Sequence, residues 1–249
     1  MSIYREPEKL CSCIENWIKE RFVITGSSGA VLGISGGIDS ALLAGLLSEV
    51  LGPENVIGVI MPCHSMDIDE EYARLLADKF KFRTVKVDLS DSFDVLKSVI
   101  SCGVGELSSL PEANIKPRLR MITLYAIAQQ NGYLVCGGSN KDEILYGYFT
   151  KYGDSGVDMM PIADLLKGEV RALAEYIGVP QEIIDRPPTA GLWDGQTDES
   201  EMGLTYETLD RYIATGEAEA GDRAKIEKAI ARSEHKRKFA ELAKLPKIL

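Results

Sequence analysis

The chain has 249 residues, 45% of them hydrophobic and 27% charged, and its 38 acidic and 28 basic side chains give a formal net charge of −10. Such proportions describe a folded protein with a sizeable core, and the acidic balance argues against a nonspecific nucleic-acid binder, which would be basic overall. No apolar run approaches the roughly 18 residues of a membrane span, the first residues lack the apolar stretch of a secretory leader, and five cysteines without a C-x-x-C pair fit reduced thiols in the cytoplasm better than a disulfide framework.

Apolar spacing predicts an N-terminal helix over about 8–22, with Leu10, Cys13, Ile14 and Trp17 on one face. A strand over 30–34 precedes a helix over 39–50, which Gly52-Pro53 stops. The continuous apolar run 56–61 suits a buried parallel strand. A helix over 69–80, a strand over 83–87 and a helix over 91–100 follow, and 102–110, rich in Gly and Ser, reads as a loop. Pro117 stands in the first turn of a helix running to 130, a position that tolerates proline. The strand over 133–136 ends in Gly137-Gly138-Ser139-Asn140, a Gly-rich turn before another helix. A Gly- and Asp-rich loop over 148–160 leads to a helix over 162–177, and a long loop over 186–203 to two C-terminal helices within about 205–240.

Strands alternating with helices predict one α/β domain over 1–249, a doubly wound parallel sheet with helices on both faces. Such sheets bind ligands beyond the carboxyl ends of their strands, where strand order reverses. Both Gly-rich turns follow predicted strand ends and so belong on that rim.

The first turn, Gly33-Ile34-Ser35-Gly36-Gly37-Ile38-Asp39-Ser40, carries the sharpest chemistry. A strand-to-helix turn offers backbone N–H groups and a helix N-terminus to an anion, and paired glycines let a phosphate approach the backbone. Asp39 beside phosphates is best explained as a metal ligand, since a bare carboxylate would repel them. The GxxxxGK[ST] pattern of a Walker loop is absent. Four further segments are less specific. Lys116, Arg118 and Arg120 put three cations at a helix start, which a bound anion would relieve, although a solvated basic turn explains them better on local grounds. Glu143 after Ser139-Asn140 is either a second metal carboxylate or ordinary first-turn chemistry behind an N-cap. Aromatics, Lys151, Asp154 and Asp158 share one glycine-hinged loop, and His235-Lys236-Arg237-Lys238 is a basic helix end.

SGGIDS resembles the pyrophosphate loop of the ATP pyrophosphatases, which cut ATP between its α and β phosphates. Together with NIKPRLRM, GGSNKDE, GYFTKYGDSGVD, PIADLLK, RPPTAGLWDGQTDE and EHKR, in this order and approximate spacing, the chain resembles the NAD synthetases from its N-terminal helix to His235-Lys236. The resemblance implies an adenine nucleotide alpha hydrolase-like fold and a homodimer that amidates deamido-NAD to NAD through an adenylated carboxylate, releasing AMP and pyrophosphate. It places Gly33 to Ser40, Gly138, Lys167 and Thr189 on ATP, Asp39 and Glu143 on Mg2+, and Arg118, Lys151, Asp158, His235 and Lys236 on deamido-NAD. It places Asp154 by the ammonia site, so Asp154 and Lys167 become the catalytic candidates.

Gly138 stands where the family often has Thr, and Pro117 replaces a commoner Ala. With no room for a glutaminase domain, ammonia is the expected direct donor, supplied free or by a separate glutaminase. A tRNA-modifying ATP pyrophosphatase would need an RNA-binding surface, against the acidic balance, and a non-catalytic nucleotide-binding regulator would not need Asp39, Glu143 and Lys167 together. Segments 188–203 and 151–158 are the expected lids, mobile without ligand. The apolar faces at 10–17 and 119–126 are candidate dimer contacts, which core packing explains equally well.

Overall fold

The computed structural model describes residues 2–64, 67–189 and 197–245. Four parallel strands, β1 (Ala30–Gly33), β2 (Val56–Ile60), β3 (Arg83–Lys86) and β4 (Leu134–Val135), lie in the order β3-β2-β1-β4. The register pairs Ala30 with Val56 on one side and with Leu134 on the other. A parallel bridge between Cys136 and Met159 lengthens the rim beside β4. The chain thus builds outward from β1 through β2 to β3, then returns to lay β4 on the opposite side of β1. The reversal falls between β1 and β4, where such sheets bind ligands.

The helices, in chain order, are α1 (Pro7–Thr25), α2 (Ile38–Leu51), α3 (Asp67–Phe80), α4 (Ser90–Val104), α5 (Ser109–Ala113), α6 (Ile115–Asn131), α7 (Lys141–Tyr146), α8 (Lys167–Ile177), α9 (Gln181–Ile184), α10 (Asp198–Met202), α11 (Tyr206–Thr215) and α12 (Ala220–Ser233). Alternate strand residues face opposite layers. Leu32, Val56 and Ile60 pack with Leu42, Leu46, Val170 and Leu173 on the side of α1, α2 and α8. Val31, Ile57 and Val59 pack with Phe93, Leu124 and Ala128 on the side of α4 and α6. Both faces are covered, as the doubly wound expectation requires. A smaller apolar cluster, Met202, Leu204, Tyr206, Leu209 and Ile226, joins α10, α11 and α12. Among the described residues no helix is long and apolar enough to cross a membrane.

Several boundaries differ from the sequence pattern. In α1 the buried stripe is Leu10, Cys11, Ile14, Ile18 and Phe22, while Cys13 and Trp17 are exposed. Steps of four, not three, carry the core side of this helix. The helix expected from 162 begins at Lys167, because Leu166 is extended and the Glu169 carboxylate reaches back to accept its N–H at 3.0 Å. The last helix ends at Ser233 and continues only as a 3-10 turn over Glu234–Lys236. Two short helices, α5 and α10, partly or wholly occupy stretches that composition reads as loop, and α9 falls between predicted elements.

The N-terminal segment straps the start of α8. Arg5 donates through Nε to Glu169 at 2.8 Å and through Nη2 at 2.7 Å, and its Nη1 meets Asp164 at 3.0 Å. Tyr4 donates to Asp210 at 2.9 Å, and Asp210 in turn accepts the N–H groups of Lys167 at 3.0 Å and Gly168 at 2.9 Å. Asp142 of α7 accepts the same Lys167 N–H at 2.9 Å. Burial opposes ionisation of Glu169, but Arg5 more than offsets it and holds the carboxyl below its usual range. Arg5→Ala therefore costs about 2 kcal/mol at neutral pH, less than a fully buried pair because the guanidinium is half exposed. A depressed folded-state pKa stabilises above the unfolded value and ceases to as pH falls through the folded one. The denaturation gap between wild type and Arg5→Ala is thus full above the ordinary glutamate range, about pH 5, and closes as pH falls below that range; a gap independent of pH would contradict the pairing.

Candidate active site

Between β1 and α2 the backbone turns at Gly36 (φ 75°), a conformation that glycine adopts without strain. A Cβ there would lie 2.9 Å from Arg186 Nη1 and 3.0 Å from the Asp69 carbonyl oxygen. Arg186 braces this turn, donating to the Gly36 carbonyl at 3.2 Å and to Asp69 at 2.5 Å, with its guanidinium over the Tyr72 ring. Gly37 is the N-cap of α2 and makes no side-chain cap. The first-turn N–H groups of α2 therefore lack intrahelical partners, the arrangement that receives an anion. Ser35 and Ser40 hydroxyls lie 3.1 Å apart, and Ser40 donates to the Gly37 carbonyl at 3.0 Å, so the loop is held by its own side chains.

The turn after β4 supplies the opposite wall. Asn140 caps α7: its Oδ1 accepts from Glu143 N at 3.0 Å and its N–H donates to Glu143 Oε2 at 3.3 Å. Its Nδ2 also donates to Asp39 Oδ1 at 2.8 Å and to Glu143 Oε1 at 2.9 Å. One fully buried amide thus both caps a helix and ties the two carboxylates together. The turn thus carries the N-cap and also brings Glu143 beside Asp39.

Lys167 completes the centre, with Nζ 2.5 Å from Asp39 Oδ2 and 3.7 Å from Glu143 Oε1. Burial disfavours its charge, but Asp39 and then Glu143 outweigh that and raise the ammonium above its ordinary value. Glu143 is pushed up by burial and by the Asp39 charge, with Lys167 opposing. The ammonium also stands over the Tyr206 ring at 4.9 Å, and Tyr206 donates to Asp198 Oδ2 at 2.8 Å. Asp198 Oδ1 is buried and, among the described residues, has no hydrogen-bond partner. Asp39 and Glu143, tied together through Asn140, are a carboxylate pair of the kind that a hard divalent cation shared with phosphates takes as ligands, and among the described residues no group of three or more acids, histidines or cysteines is placed to hold a metal.

These groups line one cavity of about 1050 Å3. Of the sequence-predicted residues, Gly33 to Ser40 except Gly36, together with Gly138, Glu143, Asp154, Lys167, Thr189 and Lys236, line it. A Cβ on Gly138 would lie 3.6 Å from the Asp39 carbonyl carbon, so a side chain fits there. Asp154 accepts from Thr150 N at 2.7 Å. Lys236 Nζ donates to the carbonyls of Gly147 and Phe149, each at 2.7 Å.

Besides Gly36, four predicted residues lie outside the cavity lining. Arg118 donates to the Lys151 carbonyl at 3.2 Å, and Lys151 Nζ to the His235 carbonyl at 2.7 Å, so these three form one outer patch. Asp158 accepts from Tyr125 OH at 3.1 Å and from Val135 N at 2.8 Å, anchoring β4. Of the two expected lids, 151–158 is described and hydrogen-bonded as above, while residues 190–196 of the other, 188–203, lie outside the described residues. Sequence reasoning missed the bridging role of Asn140, the Arg186 brace and the Asp142–Asp210 support behind Lys167. Only the Asn140–Glu143 spacing of a capping box carried a local signal.

The NAD synthase family model matches residues 10–240. The NH(3)-dependent NAD(+) synthetase of Finegoldia magna is 50% identical over 233 residues, 94% of this chain and 95% of that protein. Among solved structures, the NMN synthetase of Francisella tularensis matches with a TM-score of 0.92 and 32% identity, over 97% of this chain and all of that one. The NH3-dependent NAD synthetase of Campylobacter jejuni matches with a TM-score of 0.79 and 28% identity, over 97% of this chain and all of that one.

Asn140→Ala removes the cap and the bridge together. It lowers stability by about 1 kcal/mol and weakens ATP binding in calorimetry. Asn140→Asp keeps the capping oxygen, so it restores much of the stability but leaves ATP binding impaired. Unchanged ATP binding in both variants would contradict the bridging role.

Proposed function

The chain belongs to the NAD synthase family, ligases that form a C–N bond, and we propose how it carries out the ATP-dependent amidation of deamido-NAD by ammonia. The observation that carries the reading is the Asp39–Asn140–Glu143–Lys167 set, which joins the turns after β1 and β4 at the sheet's reversal point.

A carboxylate resists ammonia because its leaving group would be oxide. Attack of a nicotinate carboxylate oxygen on the α-phosphorus of ATP breaks the bond to the β-phosphate and makes a mixed anhydride. Ammonia then attacks the carbonyl carbon, the C–O bond breaks, and AMP departs with one former carboxylate oxygen. The α2 N-terminus and the Ser35–Ser40 loop hold the phosphates. Mg2+ held by Asp39 and Glu143 would supply charge neutralisation on the phosphate oxygens. Lys167, fixed beside both carboxylates, opposes the negative charge that grows on the departing pyrophosphate. Asp154 collects ammonium and accepts a proton from it, since at neutral pH most ammonia is protonated. Thr189 and Gly138, in the cavity wall, contact ATP.

Arg118, Lys151 and His235 lie on the outer patch and Asp158 is tied to β4, so the enzyme is proposed to be a homodimer in which a second copy borders that patch and completes the acceptor site. α4 and α6, which pack on each other, support this: Val95, Val99 and Ile122 are 65%, 64% and 60% exposed. Such exposed apolar side chains on neighbouring helices suit an interface between copies.

The likeness to the Francisella tularensis NMN synthetase supports a second reading of the acceptor alone, nicotinate mononucleotide in place of deamido-NAD. One assay tests both. Purified protein with ATP, Mg2+ and ammonium is given each acceptor separately. NAD with AMP from deamido-NAD supports the first reading, preferential NMN from the mononucleotide supports the second, and neither product rejects both. Asp154→Asn is expected to raise the KM for ammonium and leave ATP binding intact; an unchanged ammonium KM would remove Asp154 from that role. Val99→Asp with Ile122→Asp is expected to give monomers by light scattering and to abolish amidation; a surviving dimer would place the interface elsewhere.

A further inference from the structure

One face of α12 runs against the acidic balance of the chain. Lys225, Lys228, Arg232 and Lys236 recur at steps of three and four residues, the spacing of a single helical face, and all four line the cavity. The acids of this segment are engaged by their own neighbours: Asp222 meets Lys225 at 3.2 Å, Glu227 meets Arg223 at 2.9 Å, and Glu234 meets Lys238 at 2.5 Å. Across the cavity, Glu201 accepts from the Tyr148 hydroxyl.

The two ends of the basic face serve the fold. Lys236 is spent on the carbonyls of Gly147 and Phe149, and Lys225 donates to the Gly203 carbonyl at 3.2 Å. Arg237, just beyond, donates to the carbonyls of Ile144 and Leu145 and so ties the segment to α7. The two central cations differ. Among the described residues neither Lys228 nor Arg232 has a hydrogen-bond or ion-pair partner, and both are exposed to the cavity. Their charge is felt nearby: burial and then Arg232 hold the Lys236 ammonium below its ordinary value, with Asp154 partly offsetting them. An anion between the central pair would relieve that repulsion.

The ATP phosphates already have partners on another wall, at the loop after β1 and at Lys167. The basic face starts beside Asp154, where ammonia is collected, and leads away toward Gly203. A nucleotide whose nicotinate end lies at Asp154 would extend its phosphate along this face. We propose that Lys228 and Arg232 form an anion subsite for the phosphate of the nicotinate nucleotide that is amidated. The proposal rests on the amidation reading above. The shared chemistry is a phosphate oxygen gripped by a planar guanidinium and an ammonium, whether a terminal phosphomonoester or a diphosphate bridge. The cations also draw an anionic acceptor into a chain that otherwise repels it.

The test is steady-state kinetics of the intact enzyme carrying Lys228→Gln and Arg232→Gln, with deamido-NAD as acceptor in one arm and nicotinate mononucleotide in the other. The KM for the acceptor is expected to rise about tenfold, and to lose much of its dependence on salt, while the ATP KM and the melting temperature stay near wild type. An effect in one arm only identifies which nucleotide's phosphate the pair holds. An unchanged acceptor KM in both arms, or a rise in the ATP KM instead, would overturn the proposal while leaving amidation intact. Failure of the wild-type enzyme to amidate either nucleotide would overturn the amidation reading and this proposal with it.

Discussion

The Lys167 ammonium held between Asp39 and Glu143 is the interaction on which the rest of the structure converges. Three charges in a largely water-excluded space are costly unless each is matched. Here the matching comes from three separate chain segments: the first turn of α2, the first turn of α7 and the first residue of α8. Asn140 adds the neutral bridge that keeps the two carboxylates at a fixed spacing. An arrangement of this kind is poised for a ligand carrying both phosphates and a divalent cation, because such a ligand answers the repulsion between the carboxylates.

The sheet and the helix supports exist in service of that convergence. The reversal of strand order at β1 brings two turns, far apart in sequence, to one rim. Behind Lys167, Asp142 and Asp210 both accept its backbone N–H, and Tyr4 and Arg5 secure the same helix start. The N-terminal segment, remote from the chemistry in sequence, thereby fixes where the ammonium can reach. On the phosphate side the Arg186 brace does the same for Gly36.

The parts of this site that the sequence discloses are those whose cause is local. Paired glycines and serines at a strand-to-helix junction dictate a tight turn that opens a helix N-terminus, and apolar runs alternating with helical spacing dictate a covered parallel sheet. The start of α8 was hidden because Leu166 shows no capping side chain; Glu169 satisfies its N–H from within the helix. The buried face of α1 was misread because Trp17 and Ile18 are adjacent, and only packing decides that Ile18 enters the core. Asn140 looked like a cap alone because Asp39, its second partner, is distant in sequence. Arg118, Lys151 and His235, carried over from the family resemblance, lie beyond the cavity, and no spacing within one chain could reveal whether a second copy completes their site.

In the proposed reaction the turn after β1 and its carboxylate–lysine set split ATP in order to activate a carboxylate. Deamido-NAD labelled with oxygen-18 in the nicotinate carboxylate tests it most directly, by mass spectrometry of the released AMP and pyrophosphate. One labelled oxygen in AMP and none in pyrophosphate is the expected result. Label in pyrophosphate, or unlabelled AMP alongside NAD formation, would contradict it.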